Sequence, residues 1–176
     1  MKINLFQKAV MFICRINMPF SQHKMTEEAC DNIIQRVQLG DVLLIRTNGE
    51  LTTLLQGQKW THSALVLTQT HAFEATTKGT RLTDLMYILA RCDEATLLRP
   101  KFLVNNDHMV EFALTLVNRP YDFTFESSDE ELYCHEATAR ILSHSSGVAI
   151  PQVDTPLGKK WLPDSFLKSN LFEVIL

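Results

Sequence analysis

The chain reads as an α+β domain, and two observations carry that reading. Helical and strand periodicities are interspersed along it without the strict alternation of a doubly wound sheet. Some successive strands are separated by only a few polar residues, a hairpin spacing that belongs to antiparallel pairs. The length of 176 residues suits one domain, and 45% apolar residues suffice for a core without staples.

Taken in order, Thr26 is placed to cap a helix that opens on Glu27 and Glu28, with acids in the first turn. Ala29, Ile33, Ile34 and Val37 recur at helical spacing, and Gly40 is expected to end the helix. Asp41 to Thr47 reads as a buried strand around the branched run Val42-Leu43-Leu44-Ile45. Leu51 to Leu55 suggests a short helix. Thr61 to Thr68 is a second strand, Gln69-Thr70 a turn, and Ala72 to Thr76 the returning strand. Leu82 to Ala90 reads as helical, and Ala95 to Arg99 as a strand stopped by Pro100. Asp107 is expected to cap a helix whose apolar stripe is Val110, Ala113, Leu114 and Val117. The last long helix covers roughly Tyr133 to Ser143. A short helix near Pro163 to Lys168 and a strand at Phe172 to Ile175 follow.

Composition excludes several classes. With 17 basic and 20 acidic side chains the net charge is -3, and no run of like charges exceeds three. A nucleic-acid partner therefore has no electrostatic basis. The four cysteines, 14, 30, 92 and 134, show neither CxxC nor a metal-ligand spacing. Reduced thiols and a cytoplasmic location are expected. The N-terminal run Ala9 to Cys14 is too short to span a bilayer and lacks a signal-peptide pattern. Residues 1–25 are expected to be a helical extension. Stable membrane insertion is not expected, although association with a membrane surface is compatible with the mixed polar face. No nucleotide-binding, zinc-protease or serine-hydrolase signature occurs, and no cofactor is expected.

Cys134 is the first candidate for chemistry. Cys134, Ala137, Thr138 and Ile141 share one helical face, which puts the thiol in a first turn, pointing inward. There the free N–H groups and the helix dipole favour a thiolate and offer an oxyanion site. Asp129, Glu130 and Glu131 lie just upstream and act in the opposite direction. A buried cysteine of this kind is more often a small core residue. His62 lies on the second strand, on one face with Ala64, Val66 and Thr68. A lone strand histidine is commonly structural, but a nucleophilic thiol needs a base on a rigid element. If strands 61–68 and 71–76 pair about Thr68, Glu74 faces His62 directly and serves to orient the imidazole. Tyr121 and Tyr133, close to the Cys134 helix, are candidates to line its pocket. His135 is expected to point away from the thiol, toward rim or solvent, because helical neighbours diverge by about 100°. A zinc site from His62, His71, Cys134 and His135 is disfavoured by its scattered spacing.

Together these segments resemble the circularly permuted papain-like (NlpC-type) cysteine hydrolases, the YiiX-like group. Gly40-Asp41-Val42-Leu43-Leu44 is similar to that family's "GDI" strand. Trp60-Thr61-His62-Ser63-Ala64-Leu65-Val66 resembles its histidine strand, and Phe73-Glu74-Ala75 its "EA" segment. Arg119-Pro120-Tyr121-Asp122-Phe123 through Tyr133-Cys134-His135-Glu136-Ala137 resembles "G-x-x-YD…YYCSEL". The likeness runs from about residue 39 onward. It departs at Asn118-Arg119, where glycine is common, at His135, which replaces the usual serine, and at Ala137, which replaces the usual leucine.

The resemblance implies a permuted papain-like core over residues 26–176, with a small antiparallel sheet packed on the helix that carries the nucleophile. It implies Cys134 as nucleophile, His62 as base and Glu74 as the orienting residue. The expected activity is that of a thiol amidase or peptidase working through a thioester, on a small peptide, amide or lipid-linked substrate. Acyl transfer of the lecithin retinol acyltransferase type is the alternative, and an inactive papain-like binding module is the second.

Overall fold

The computed structural model describes residues 24–47, 59–126, 128, 130–156 and 158–176. The expected helix at 51–55, and all but the last two residues of the 1–25 extension, lie outside the described residues. The elements are α1 (Glu27–Ile34), β1 (Val42–Arg46), β2 (His62–Val66), β3 (His71–Thr76), β4 (Gly79–Asp84), α2 (Leu85–Leu89), β5 (Glu94–Pro100), α3 (Asn106–Thr115), α4 (Cys134–Ser146), β6 (Val153–Thr155), β7 (Gly158–Lys160), α5 (Pro163–Leu167) and β8 (Phe172–Val174). Six strands form one antiparallel sheet in the order β4-β3-β2-β1-β5-β8, and β6 and β7 form a separate hairpin. Mixed helices with an antiparallel sheet are the α+β class expected.

The run Val42-Leu43-Leu44-Ile45 has no polar alternation because β1 is covered on both faces. Val42 and Leu44 join Leu65, Phe73 and Leu98 under α3, α4 and α5. Leu43 and Ile45 join Ala64, Val66, Ala72 and Leu97 under α1 and α2. Burying each such leucine contributes about 1.5–3 kcal/mol, so the central strand anchors two cores at once. Asp41, fully buried ahead of β1, ties its start to β5. Its Oδ1 and Oδ2 accept from Arg99 Nε and Nη2, each at 2.9 Å, and Oδ2 also accepts from Gln38 N–H at 2.8 Å. This explains the acid of the Gly40-Asp41 segment as a structural residue.

Thr26 caps α1 as expected, its Oγ1 accepting from Ala29 N–H at 3.2 Å. Three expectations need correction. The helix ends at Ile34 and is capped by Gln35, and Gly40, with φ of 87°, instead makes the turn into β1. Leu82 to Asp84 is strand: β4 closes a hairpin on β3, with Leu82 opposite Phe73, and the helix begins only after Asp84, which caps it. Asn105 caps α3 in place of Asp107. Its buried stripe is Met109, Ala113 and Leu116, while Leu114 is about half exposed. The β6–β7 hairpin, built from three-residue strands, left no apolar periodicity to read.

Candidate active site

Cys134 is the first residue of α4, and Tyr133, in extended conformation, is its N-cap. Tyr133 has no hydroxyl placed to cap the helix. Glu136, three residues into the turn, reaches back instead, and its carboxylate accepts from the Tyr133 backbone N–H. The thiol therefore sits where first-turn N–H groups have no intrahelical partner. The chain leading into the helix is fixed on three sides. Leu132 N–H donates to Pro120 O at 3.0 Å, and Asp122 N–H to Leu132 O at 3.3 Å. Trp161 N–H donates to the Tyr133 hydroxyl at 2.9 Å.

His62 opens β2, so imidazole and thiol meet at the starts of two elements. Ser63, the next residue, points at α4, and its Oγ lies 3.2 Å from Thr138 Oγ1. His62 Nε2 is 3.0 Å from Glu74 Oε2, which leaves Nδ1 for the thiol. The sequence-based pairing is corrected here. Glu74 stands opposite Ala64, two residues from the expected partner. A shift of two keeps the pleat parity, so Glu74 stays on the His62 face and reaches it diagonally.

Glu74 is only 2% exposed and its other oxygen is heavily held. Oε1 accepts from Arg81 Nε at 3.0 Å, Arg81 Nη2 at 2.7 Å and Thr83 Oγ1 at 2.7 Å. Arg91 Nη2 lies 3.6 Å away. Arg81 and Thr83 alternate along β4 on the side of Glu74; the helical reading of 82–90 took in Thr83 and left Arg81 unassigned, so neither was placed beside Glu74. The turn Thr77-Lys78-Gly79 was the available signal. Gly79 has φ of 99°, and a Cβ there would lie 2.6 Å from Arg119 O. That close approach lets Thr80 N–H donate to Arg119 O at 2.9 Å, tying β4 to the segment before Asp122. Asn118, at a place where the resemblance to the permuted papain-like family leads one to expect glycine, has φ of 67°. Asparagine is among the residues that best tolerate this left-handed conformation, so the departure preserves the turn.

The electrostatics follow from these contacts. Burial alone raises a thiol, but His135 and then His62 draw Cys134 well below the ordinary thiol range. Burial alone lowers an imidazole, but hydrogen bonds to Cys134 and Glu74 push His62 up to about 10. Burial raises a carboxyl, yet His62, Thr83 and Arg81 hold Glu74 below the usual carboxylate range. All three directions favour thiolate, imidazolium and carboxylate in series.

The remaining sequence candidates divide. Tyr121 is half-buried and stacks edge-on with Phe123, ring centroids 5.0 Å apart. Tyr133 is fully buried, with Phe125 against its ring and its hydroxyl bonded to Trp161. It supports the helix start from within the core and has no surface with which to line a pocket. His135 corrects its expectation outright: it is 3% exposed, and its Nδ1 lies 3.3 Å from Cys134 Sγ. His71 is exposed at the start of β3 and bonds Thr70 Oγ1. Among the described residues no group of three His, Cys, Asp or Glu is arranged to hold a metal ion, and no helix is long and apolar enough to cross a membrane.

Comparison with known proteins bears on the fold and the family. The model of a family described as "Permuted papain-like amidase enzyme, YaeF/YiiX, C92 family" matches residues 36–176. The crystal structure of "metalloprotein yiiX" from Escherichia coli O157:H7 superposes with a TM-score of 0.69 at 17% identity, covering 79% of this chain and 96% of that one. At such identity the likeness speaks for the fold alone. No curated protein matches the chain. The chain belongs to the permuted papain-like amidases of the YaeF/YiiX, C92 family, and is a cysteine-dependent hydrolase of that type.

Proposed function

We propose that the chain is a thiol amidase in which Cys134 is the nucleophile, His62 the general base and acid, and Glu74 the residue that orients the imidazole. The observation that carries the reading is the series of buried thiol, partly exposed His62 and buried Glu74, with His62 Nε2 3.0 Å from the carboxylate. The Cys134 thiolate attacks the substrate carbonyl carbon. The oxygen gains the negative charge and is held by the Cys134 backbone N–H at the helix start. The imidazolium of His62 gives its proton to the departing amine as the C–N bond breaks, leaving a thioester. Neutral His62 then takes a proton from water, which attacks the thioester, and the thiolate leaves with the imidazolium restored. Glu74, fixed by Arg81 and Thr83, keeps Nε2 protonated and Nδ1 facing sulfur throughout.

The substrate class proposed is a small peptide, amide or lipid-linked amide, with half-buried Tyr121 as the aromatic contact. A reducing, cytoplasmic location fits the free thiols of Cys30, Cys92 and Cys134. The test is alkylation by iodoacetamide near neutral pH, mapped by mass spectrometry, alongside trapping with peptide and lipid amide probes. Cys134 is expected to react fastest and to carry a thioester-linked acyl group, lost in Cys134→Ala and not formed in His62→Ala. Reaction at Cys134 no faster than at Cys14, Cys30 or Cys92 overturns the assignment. Transfer of the trapped acyl group to an added alcohol or amine in preference to water would make the enzyme an acyltransferase.

A further inference from the structure

His135 stands beside the nucleophile but has no part in the mechanism above. It is 3% exposed, with its Nδ1 3.3 Å from Cys134 Sγ and its ring tilted against Phe166 of α5, centroids 6.3 Å apart. Its Nε2 is buried and has no hydrogen-bond partner among the described residues. That orphan decides the tautomer. With the proton on Nε2, the protein would bury an N–H donor with nothing to receive it, which native structures rarely do. With the proton on Nδ1, the buried Nε2 is a bare lone pair and the N–H is aimed at sulfur. An Nδ1–H donor requires an acceptor, and a thiolate is a far better acceptor than a thiol.

We propose that His135 is a second imidazole on the nucleophile, a fixed Nδ1–H donor that holds the Cys134 sulfur as thiolate while His62 alone moves the proton. The division of labour follows from the surroundings of the two rings. His62 is one-fifth exposed and has a carboxylate behind it, so it alternates between imidazolium and imidazole. His135 faces an aromatic ring and, among the described residues, has no carboxylate partner, so its Nδ1–H is a standing donor to the sulfur. The titratable groups around the sulfur are His62 from β2, with Glu74 behind it on β3, and His135 and Glu136 on α4. Tyr133 and Asp122 precede the helix, and α5 presents the Phe166 ring. In this arrangement the thiolate, before it attacks the carbonyl carbon, keeps a hydrogen bond that does not depend on the proton His62 carries. The same bond assists sulfur as leaving group when water resolves the thioester.

The inference rests on the assignment of Cys134 as nucleophile, and the experiment separates the two. Iodoacetamide alkylation of Cys134 is followed as a function of pH in the full chain and in His135→Leu and His135→Asn. The asparagine amide N–H occupies nearly the place of Nδ1–H, whereas leucine donates nothing. The leucine variant is expected to raise the alkylation midpoint by about one pH unit, which lowers the rate about tenfold on the acid side of both midpoints. The asparagine variant is expected to stay within roughly 0.3 units of the parent. If His135→Leu does not fold by near-ultraviolet circular dichroism, His135→Gln replaces it, because its amide reaches the Nε2 position and misses the sulfur. An unchanged midpoint in the leucine or glutamine variant overturns the inference, as does an asparagine variant shifted equally far. Slow alkylation of Cys134 in the parent chain instead overturns the nucleophile itself.

Discussion

Ser63 and Thr138 share a hydrogen bond of 3.2 Å across the buried seam between β2 and α4, with neither side chain more than 1% exposed. Ser63 follows His62, and Thr138 lies one turn beyond Cys134, so the bond sets the base strand against the nucleophile helix. Breaking it from one side strands the other hydroxyl. Ser63→Ala or Thr138→Val is each expected to cost about 1–2 kcal/mol in urea unfolding, with the slope unchanged. The double variant is expected to cost less than the two losses added, because no orphan is left. Strict additivity would mean that the pair does not couple.

Arg81 grips Glu74 through both Nε and Nη2, and Thr83 closes on the same oxygen. Arg81→Met leaves Thr83 and the more distant Arg91 to hold the carboxylate. The expected result is a fall of roughly tenfold in kcat/KM, carried by kcat, because the imidazole is no longer held in one orientation. Arg81→Lys keeps the charge but loses the fork and is expected to fall between the two. A change confined to KM would instead place Arg81 on the substrate.

The α+β class, the helix start at Cys134 and the face shared by His62 and Glu74 were legible because each rests on a local period. Cys134, Ala137, Thr138 and Ile141 repeat at 3.6 residues, and all are buried on α4. Pleat parity survived the two-residue error in pairing because a strand repeats every two residues. What the periods could not supply was strand partnership. Arg81 and Thr83 matter only because β4 lies against β3, and Leu82-Thr83-Asp84-Leu85-Met86 also carries a helical spacing of apolar residues. His135 was misread for a related reason. The angle between helical neighbours separates their Cβ atoms but leaves a long ring at the helix start free to fold back on the preceding sulfur.

The charge series predicts the shape of the pH profile. Cys134 is held well below the usual thiol range and His62 is raised to about 10. The reactive ion pair needs the first deprotonated and the second protonated. kcat/KM is therefore expected to be flat through neutral pH, to fall on the alkaline side near pH 10, and to fall on the acid side only well below the ordinary thiol range. Glu74→Gln removes the carboxylate that helps hold the proton on His62. Its alkaline limb is expected to move toward neutral pH, with the acid limb moved less. An unmoved alkaline limb in this variant would detach Glu74 from the imidazole.

Glu136 gives a separate pH dependence, one of stability. It is fully buried, its Oε2 has no hydrogen-bond partner among the described residues, and Arg140 lies 3.4 Å from Oε1. Burial pushes its carboxyl up to about 7, with Arg140 opposing and Asp122 adding to the rise. The folded chain thus holds this proton over a range, from about 4.5 to about 7, in which the unfolded chain has released it. Where the folded state binds more protons, stability falls as pH rises, so this group destabilises progressively across that range and uniformly above it. Glu136→Gln keeps an oxygen for the Tyr133 N–H and cannot ionise. Urea unfolding at pH 5 is expected to show little difference from the parent chain. At pH 8 the variant is expected to be more stable by on the order of 2–3 kcal/mol, less whatever the Arg140 pair contributed. A difference between variant and parent that stays constant from pH 5 to pH 8 would mean that Glu136 ionises as freely in the folded chain as in the unfolded one.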